Sequence, residues 1–161
     1  MSTPDKYPLV TGARAPILRA VAQSVPKITK DVKKFCDIIL DKMYDYEGVG
    51  LAAPQIGVSQ RIIAVSFWKE KNDKQTMIGD AVMINPTITR KSEEKYIFEE
   101  ACLSLPGQSG DVMRHRHIKV DYMTPDGKTH TKKLSDMSAV IVQHEIDHLD
   151  GILFIDKIID A

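Results

Sequence analysis

The sequence lacks several features that mark specialised classes of protein. It has two cysteines, Cys36 and Cys102, which are too few for a disulfide scaffold. Their number alone would allow one disulfide bond between them, but we expect reduced thiols. Lysine and arginine number 22, as do aspartate and glutamate, so no basic excess supports binding to nucleic acid. No apolar run approaches the roughly 18 residues of a membrane helix, and the first ten residues do not resemble a signal peptide. We therefore expect a cytoplasmic protein.

The composition is that of a soluble globular protein. The chain has 161 residues, of which 43% are hydrophobic and 27% are charged, and this is enough apolar material for a buried core. It has no internal repeat, no low-complexity tract and no linker long enough to divide it. We predict that residues 1–161 form a single domain.

Two segments are predicted to be helices. An N-terminal amphipathic helix follows Thr29, which can cap it, and ends before Gly48; its apolar residues recur with helical spacing and are Val32, Phe35, Cys36, Ile39 and Met43. A C-terminal helix begins at a cap provided by Ser135 or Asp136 and ends before Gly151. The spacing places both histidines of this helix on its apolar face.

The segment between these helices is predicted to be β structure. The expected strands lie at residues 61–67, 81–84, 96–98, 118–122 and 129–134, and the last two form a hairpin. We expect a polar loop at residues 69–75 and a strand end at Asn85-Pro86. The order of elements predicts an α+β fold, with mostly antiparallel strands packed around the C-terminal helix.

Residues 144–148 (HEIDH) form an H-E-x-x-H motif on the predicted C-terminal helix. Residues four apart lie on one helix face, so the imidazoles of His144 and His148 can bind one cation. Glu145 is placed to act as a general base toward a water molecule. The alternative interpretation is that the two histidines belong to the core and that they and the helical glutamate have this spacing by chance.

A catalytic site of this type needs a third protein ligand, and too little chain follows His148 to supply a glutamate. His115, His117 and His130 occupy positions that look exposed and polar, and Cys36 fits the core of the first helix. Cys102 lies between a predicted strand and a turn. It is either the third ligand or a buried thiol.

Residues 48–55 (GVGLAAPQ) are rich in glycine but do not form a nucleotide-binding loop, because they follow a helix and lack the third glycine. One interpretation is a helix end followed by a surface turn. The other is a buried segment that lines a ligand site, since its central residues are apolar. Gln55 would then offer an amide donor to a developing oxyanion.

Together, residues 48–55, 100–104 (EACLS) and 144–148 resemble the three motifs of the peptide deformylases, G-φ-G-L-A-A-x-Q, E-G-C-L-S and H-E-x-D-H. Flanking segments at residues 15–19, 84–86 and 149–154 are similar too, so the resemblance covers nearly the whole chain. It implies a metal-dependent hydrolase that removes the formyl group from the N-terminal formyl-methionine of newly made polypeptides. The ribosome is a further partner to consider.

The resemblance also implies roles for individual residues. One divalent metal ion would be held by Cys102, His144 and His148, with Fe(II) as the native ion and zinc, nickel or cobalt in purified protein. Glu145 would be the acid/base, and the oxyanion would be bound by Gln55 and the backbone N–H of Leu103. The residues implied to lie near the peptide and its methionine pocket are Val49, Gly50, Phe98, Glu100, Met137, Val140 and Ile141.

The sequence departs from the family pattern at two positions. Ala101 replaces the glycine before the metal-binding cysteine. If the backbone there needs a positive φ, alanine costs on the order of 1 kcal/mol; otherwise its methyl group only narrows the pocket. Ser109 stands where many members carry an arginine that helps to hold the peptide. These departures motivate an alternative, a relative that binds metal or peptide without catalysis; a metallopeptidase acting on internal peptide bonds is a third interpretation.

Overall fold

A computed structural model of the chain describes residues 4–159. Its helices and strands, in chain order, are α1 (Pro16–Arg19), α2 (Lys30–Asp45), β1 (Gly50–Ala52), β2 (Ile62–Lys71), β3 (Lys74–Lys91), β4 (Lys95–Ala101), β5 (Ser109–His115), β6 (His117–Met123), β7 (Thr129–Ser135) and α3 (Asp136–Leu149). Short 3₁₀ helices lie at Ala53–Ile56 and Phe154–Lys157. In this part of the chain no helix is long and apolar enough to cross a membrane.

The strands form two antiparallel sheets. The larger sheet has the order β1-β2-β3-β6-β7, and the smaller one pairs β4 with β5. Side chains alternate across β2: Ile63 and Val65 pack with apolar residues of α3, whereas Ile62 and Ala64 pack with those of α2. The central sheet therefore lies between the two long helices, and the predicted α+β class with mostly antiparallel strands is confirmed.

The N-terminal amphipathic helix is confirmed as α2. The Thr29 side chain accepts a hydrogen bond from the Val32 N–H (3.2 Å), as its predicted capping role requires. Cys36 is 1% exposed and belongs to the core between α2 and the sheet. At α3, Ser135 is the N-cap residue but its hydroxyl bonds to the His117 ring (2.7 Å) instead of capping the helix.

Two predictions about the central strands were wrong. Residues 69–75 are the end of a hairpin between β2 and β3, because Asn72 and Asp73 both adopt the positive φ of a tight two-residue turn. Strand β3 also continues past Asn85-Pro86. The Asn85 side chain accepts a hydrogen bond from the Val25 N–H (2.8 Å) and donates one to the Val25 carbonyl (2.9 Å). At this point the pairing of β3 with β6 shifts in register, and the strand continues beyond it.

Two strands were not predicted from the sequence. Strand β1 falls within the glycine-rich segment. The interpretation of that segment as buried is correct, because all residues from Leu51 to Ile56 are buried. Strand β5 pairs with β4 along its whole length, from Lys95 opposite His115 to Ala101 opposite Ser109. Together, β1 and β4 border the region into which α3 places its histidines.

Candidate metal centre

Helix α3 carries the two histidines of the H-E-x-x-H motif on its buried side. His144 and His148 are one turn apart, and their ring centroids are separated by 5.0 Å. His148 is only 1% exposed, and its position extends the apolar stripe that packs on the sheet. Both rings are thus held by the packing of the helix, as the periodicity predicted.

Cys102 follows directly after β4 and completes the cluster. Its sulfur lies 3.3 Å from Nε2 of His148, and one ligand atom from each of Cys102, His144 and His148 lies within 4.8 Å of the others. The remaining cysteine is not a candidate ligand, since burial raises the pKa of Cys36 to about 11 and keeps it a thiol within the core.

The donor atoms of this cluster fit a divalent transition-metal ion. One thiolate sulfur and two imidazole nitrogens suit zinc, iron, cobalt or nickel, whereas magnesium and calcium prefer oxygen ligands. Three protein ligands are also the number found in catalytic metal sites. Burial, reinforced by the charges of His144 and Arg114, holds the pKa of His148 well below its usual value, so that this ring is already the neutral form that binds metals.

A buried ion pair orients His144. Glu100, at the end of β4, accepts a hydrogen bond from Nδ1 of His144 (2.8 Å), which leaves Nε2 to face the cluster. The same carboxylate accepts two hydrogen bonds from the Arg114 guanidinium of β5 (2.7 and 2.8 Å). A third nitrogen of the Arg114 side chain pairs with Asp147 of α3 (2.6 Å), so the arginine ties the small sheet to the helix.

This network sets the protonation of its members. Burial alone would raise the pKa of Glu100, but hydrogen bonds from Arg114 and His144 lower it to about 2, so the carboxylate stays ionised. Burial would likewise lower the pKa of His144, whereas its hydrogen bonds with Cys102 and Glu100 raise it to about 10. A cation that binds at Nε2 must therefore displace a proton, which makes metal binding dependent on pH.

Glu145 faces the cluster from the other side. It is 4% exposed, its Oε1 lies 3.8 Å from Nε2 of His144, and its Oε2 has no hydrogen-bond partner within the described chain. Burial raises its pKa to about 7, although the His144 charge opposes the shift. Gly50 makes room for this carboxylate, because a Cβ there would lie 2.9 Å from the Glu145 Cγ atom.

Two hydrogen-bond donors border the same space. Gln55 is 1% exposed; its Oε1 accepts from the Ala52 N–H (2.9 Å), and its Nε2 points toward the Cys102 sulfur (3.5 Å). The backbone N–H of Leu103 donates to no acceptor between residues 4 and 159. Both donors can therefore bind an oxygen atom on which negative charge develops.

The cluster opens into a cleft of about 490 Å³. Most of the residues implied to lie near the peptide do line it: they are Val49, Gly50, Phe98, Glu100, Val140 and Ile141. Met137 does not. It lies one turn nearer the start of α3 and packs instead against the core cluster on the central sheet.

Sequence reasoning gave Arg114 no role of its own, because it did not distinguish this residue from the charged residues around it. The available signal was the alternation of β5, where Val112 and Arg114 share the buried face, but that strand had not been recognised. The three histidines set aside as ligands lie outside the cluster: His117 and His130 are exposed, and His115 is half-buried with its Nδ1 on the carbonyl of Ser92 (2.7 Å).

The two departures from the family pattern are neighbours in space. Ala101 and Ser109 lie directly opposite each other across β4 and β5. Ala101 is not among the residues with a positive φ in the described chain, so its backbone carries no strain of that kind. Ala101 lines the cleft, so of the two expected effects of the alanine only the narrowing of the pocket still applies.

Comparison with known proteins agrees with this geometry. A family model described as polypeptide deformylase matches residues 8–161. A peptide deformylase of Rhizobium meliloti (strain 1021) is 43% identical over 143 residues, covering 89% of this chain and 80% of that protein. One from Halothermothrix orenii is 45% identical, covering 89% and 88%. The Met-Ala-Ser-bound crystal structure of a class I type b peptide deformylase from Acinetobacter baumannii superposes with a TM-score of 0.88 at 33% identity, covering 97% of this chain and 100% of that one.

Proposed function

The chain belongs to the polypeptide deformylase family, and we propose that its cleft carries out the reaction of that family with the residues described above. The reaction is the hydrolysis of an N-terminal formyl-methionine, which releases formate and leaves a free amine on the polypeptide. The observation that carries the assignment is the convergence of Cys102, His144 and His148 beside the Glu145 carboxylate, whose Oε2 has no hydrogen-bond partner among the described residues.

Cys102, His144 and His148 would hold the metal ion. A divalent cation there supplies a Lewis acid and lowers the pKa of water toward neutrality. Fe(II) is proposed as the native ion, and the sulfur and nitrogen donors equally accommodate zinc, nickel or cobalt. Glu100, itself held by Arg114, keeps the His144 ring turned so that Nε2 faces the other two ligand atoms.

Glu145 would move the proton. Its raised pKa of about 7 means that near neutral pH it can both accept and return a proton. In the first step it takes a proton from water as the oxygen attacks the formyl carbon. In the second step the carbon–nitrogen bond breaks, and Glu145 gives the proton to the departing amine. Its Oε2, which has no hydrogen-bond partner between residues 4 and 159, is available for both transfers.

Gln55 and Leu103 would stabilise the charge that develops on the formyl oxygen. The Nε2 group of Gln55 and the backbone N–H of Leu103 both border the ligand cluster. Nε2 carries two hydrogens; one is donated to the Ser104 hydroxyl (3.1 Å), and the other meets only the Cys102 sulfur, a weak acceptor, at an Nε2–Sγ distance of 3.5 Å. Losing one such donor in an enzyme costs about 10²–10³ in kcat. This pair therefore supplies a large share of the catalytic effect that comes from the chain itself.

The apolar wall of the cleft would receive the methionine side chain. Phe98, Val140 and Ile141 line it, and Val49 and Gly50 offer the backbone edge of β1 to an extended peptide. The A. baumannii enzyme was crystallised with Met-Ala-Ser, a peptide of the product type, which supports the same mode of binding here. Since the substrate arises during translation, we propose that the protein works in the cytoplasm as a single domain and contacts the ribosome.

The test is formate release. The chain, loaded with Fe(II) under anaerobic conditions, should release formate from formyl-Met-Ala-Ser, and the metal-free chain should not. Parallel loading with cobalt, nickel and zinc ranks the metals. If no metal form produces formate while the protein still binds one ion per chain, it is a non-catalytic relative. Cleavage of unformylated peptides would indicate a peptidase.

A further inference from the structure

Ser104, a buried residue of the turn after β4, has no role in the reaction as described so far. We propose that its hydroxyl is a positioning group: it takes one hydrogen of the Gln55 amide, so that the other points toward the reacting oxygen. This inference rests on the proposed role of Gln55 as an oxyanion donor. It assigns to Ser104 an effect on catalysis without any contact with substrate.

The hydrogen bonds around Gln55 support this role. Ser104 is 0% exposed, and its Oγ accepts a hydrogen bond from Nε2 of Gln55 at 3.1 Å. At the other end of the amide, Oε1 accepts from the Ala52 N–H (2.9 Å). A reversed amide would place its two N–H groups against the Ala52 N–H, so Ala52 determines which end faces Ser104.

Because the Gln55 amide is planar, these contacts fix the directions of both hydrogens on Nε2. An NH₂ group carries two hydrogens in the amide plane, and Ser104 occupies one of them. The second hydrogen points toward the Cys102 sulfur, which is a weak acceptor and lies 3.5 Å from Nε2. This second hydrogen is thus held in place but not consumed, which suits a group that must bind charge only in the transition state.

The turn itself holds Ser104 in place independently of Gln55. Its carbonyl oxygen accepts the Gly12 N–H (2.9 Å), and the neighbouring Leu105 packs in the core cluster beneath the turn at 1% exposure. Removing the hydroxyl should therefore change the Gln55 amide more than it changes the backbone.

Kinetics of Ser104→Ala and Gln55→Ala, alone and combined, test the proposal. We expect Ser104→Ala to lower kcat by about tenfold with little change in KM. The hydroxyl orients Gln55 for an interaction with the oxyanion, and that interaction is made only in the transition state. In the Gln55→Ala background the same change should have less than a twofold effect, because Ser104 acts through Gln55. Losses that multiply in the double variant would overturn the proposal.

Ser138→Ala is the matched control. Ser138 is another buried serine, 4% exposed, whose hydroxyl bonds to the backbone of Trp68 away from the cleft. Thermal melts should show similar stability losses for the two serine variants, and only Ser104→Ala should lower kcat. An equal loss of kcat in both would indicate a general structural effect and overturn the proposal.

Hydrogen exchange of the side-chain amide, followed by spectroscopy, tests the contact between Gln55 and Ser104 independently of enzyme activity. In wild-type protein, one side-chain amide hydrogen of Gln55 should exchange with solvent at least about tenfold more slowly than those of exposed Gln75, because it is buried and bonded. In Ser104→Ala that protection should fall, and in Ser138→Ala it should persist. Unprotected hydrogens in wild type would refute the contact, whatever the variants do.

The two proposals fail in different ways. If Gln55→Ala leaves kcat unchanged although the amide hydrogen is protected, Gln55 is not an oxyanion donor, and the catalytic part of the Ser104 inference falls with it. If Gln55→Ala lowers kcat but Ser104→Ala does not, only the inference about Ser104 is wrong.

Discussion

The two walls of the cleft each contribute a buried glutamate, and the two behave oppositely. Glu100 comes from β4 and Glu145 from α3, both are 4% exposed, and both lie beside His144. The pKa of Glu100 is lowered to about 2, whereas that of Glu145 is raised to about 7. The same chemical group, equally buried, is therefore ionised on one wall and titrates near neutral pH on the other.

The different hydrogen-bond partners of Glu100 and Glu145 explain their opposite pKa shifts. Burial disfavours the charged form of both groups, but Arg114 donates two hydrogen bonds to Glu100 and outweighs that cost. Glu145 has only the His144 ring nearby, at 3.8 Å, and its Oε2 is without a partner in the described structure. The difference fits the proposed roles, in which Glu100 positions the His144 ring and Glu145 transfers the proton.

The largest expected effect comes from Glu145→Gln, which removes the proton carrier while keeping its shape. We expect kcat to fall by about 10²–10⁴, the usual contribution of general acid–base catalysis, with the bound metal retained. Formate assays and metal analysis of the purified variant measure both quantities. Glu93→Gln, a change to an exposed glutamate, serves as the control. Near-normal turnover would mean that another group carries the proton.

Glu100→Gln should act on stability and metal affinity. It leaves the Arg114 charge buried with Asp147 as its sole remaining acid partner, at an expected cost of about 3–5 kcal/mol in unfolding free energy. The loosened His144 ring should weaken metal binding about 10–100-fold. Urea unfolding and chelator competition measure these changes. Glu99→Gln, on the exposed face of the same strand, should be nearly neutral in both assays; an equal effect would contradict the assignment.

The raised pKa of Glu145 predicts a pH dependence of stability in the metal-free chain. Between about pH 4.5 and pH 7 this carboxyl is protonated when folded and ionised when unfolded, so the folded state binds the extra proton. Its contribution to stability therefore falls as the pH rises through that window, by a few kcal/mol at most, at about 1.4 kcal/mol per pKa unit.

Urea unfolding of the chelator-treated protein and of Glu145→Gln at several pH values checks this dependence, and the difference between the two curves gives the Glu145 contribution. The subtraction is needed because the lowered pKa of His148 makes its own contribution rise with pH, up to about pH 6.5, in both proteins. Glu100 should produce the opposite slope at lower pH. Its pKa is depressed, so its stabilising effect is present above about pH 4.5 and is lost as the pH falls toward 2. A slope unchanged by Glu145→Gln would contradict the difference between the walls.

Gly50→Ala should have the smallest effect of the four. The new methyl group would meet the Glu145 side chain at 2.9 Å and displace the carboxylate, at an expected cost of about 1–3 kcal/mol in the barrier or in stability. Gly79→Ala is the control, because its Cβ would meet only Phe67 at 3.9 Å. Steady-state kinetics should show a loss for the first variant alone. Full activity of Gly50→Ala would show that Glu145 tolerates displacement.

Local pattern in the sequence was sufficient for the elements whose residues interact along the chain. The capped amphipathic helix α2, the hairpin of β6 and β7, and the inward face of α3 follow from spacing and capping, because each depends on residues a few positions apart. The motif on α3 therefore predicted His144, Glu145 and His148 as candidate site residues before any fold was known. The family resemblance implied that Met137 lies near the peptide, but Met137 packs against the core cluster and does not line the cleft.

Other features were decided only by the tertiary structure. Cys102 lies 46 positions before His148 in the chain, and only the packing of β4 against α3 brings its sulfur to the histidines. The burial of Arg114 depends on β5, which the local pattern did not predict and which pairing with β4 stabilises. The sequence alone therefore determined which chemical groups are available. Long-range packing determined which of them are ionised and which meet, because the energies of burial and charge pairing depend on neighbours distant in the chain.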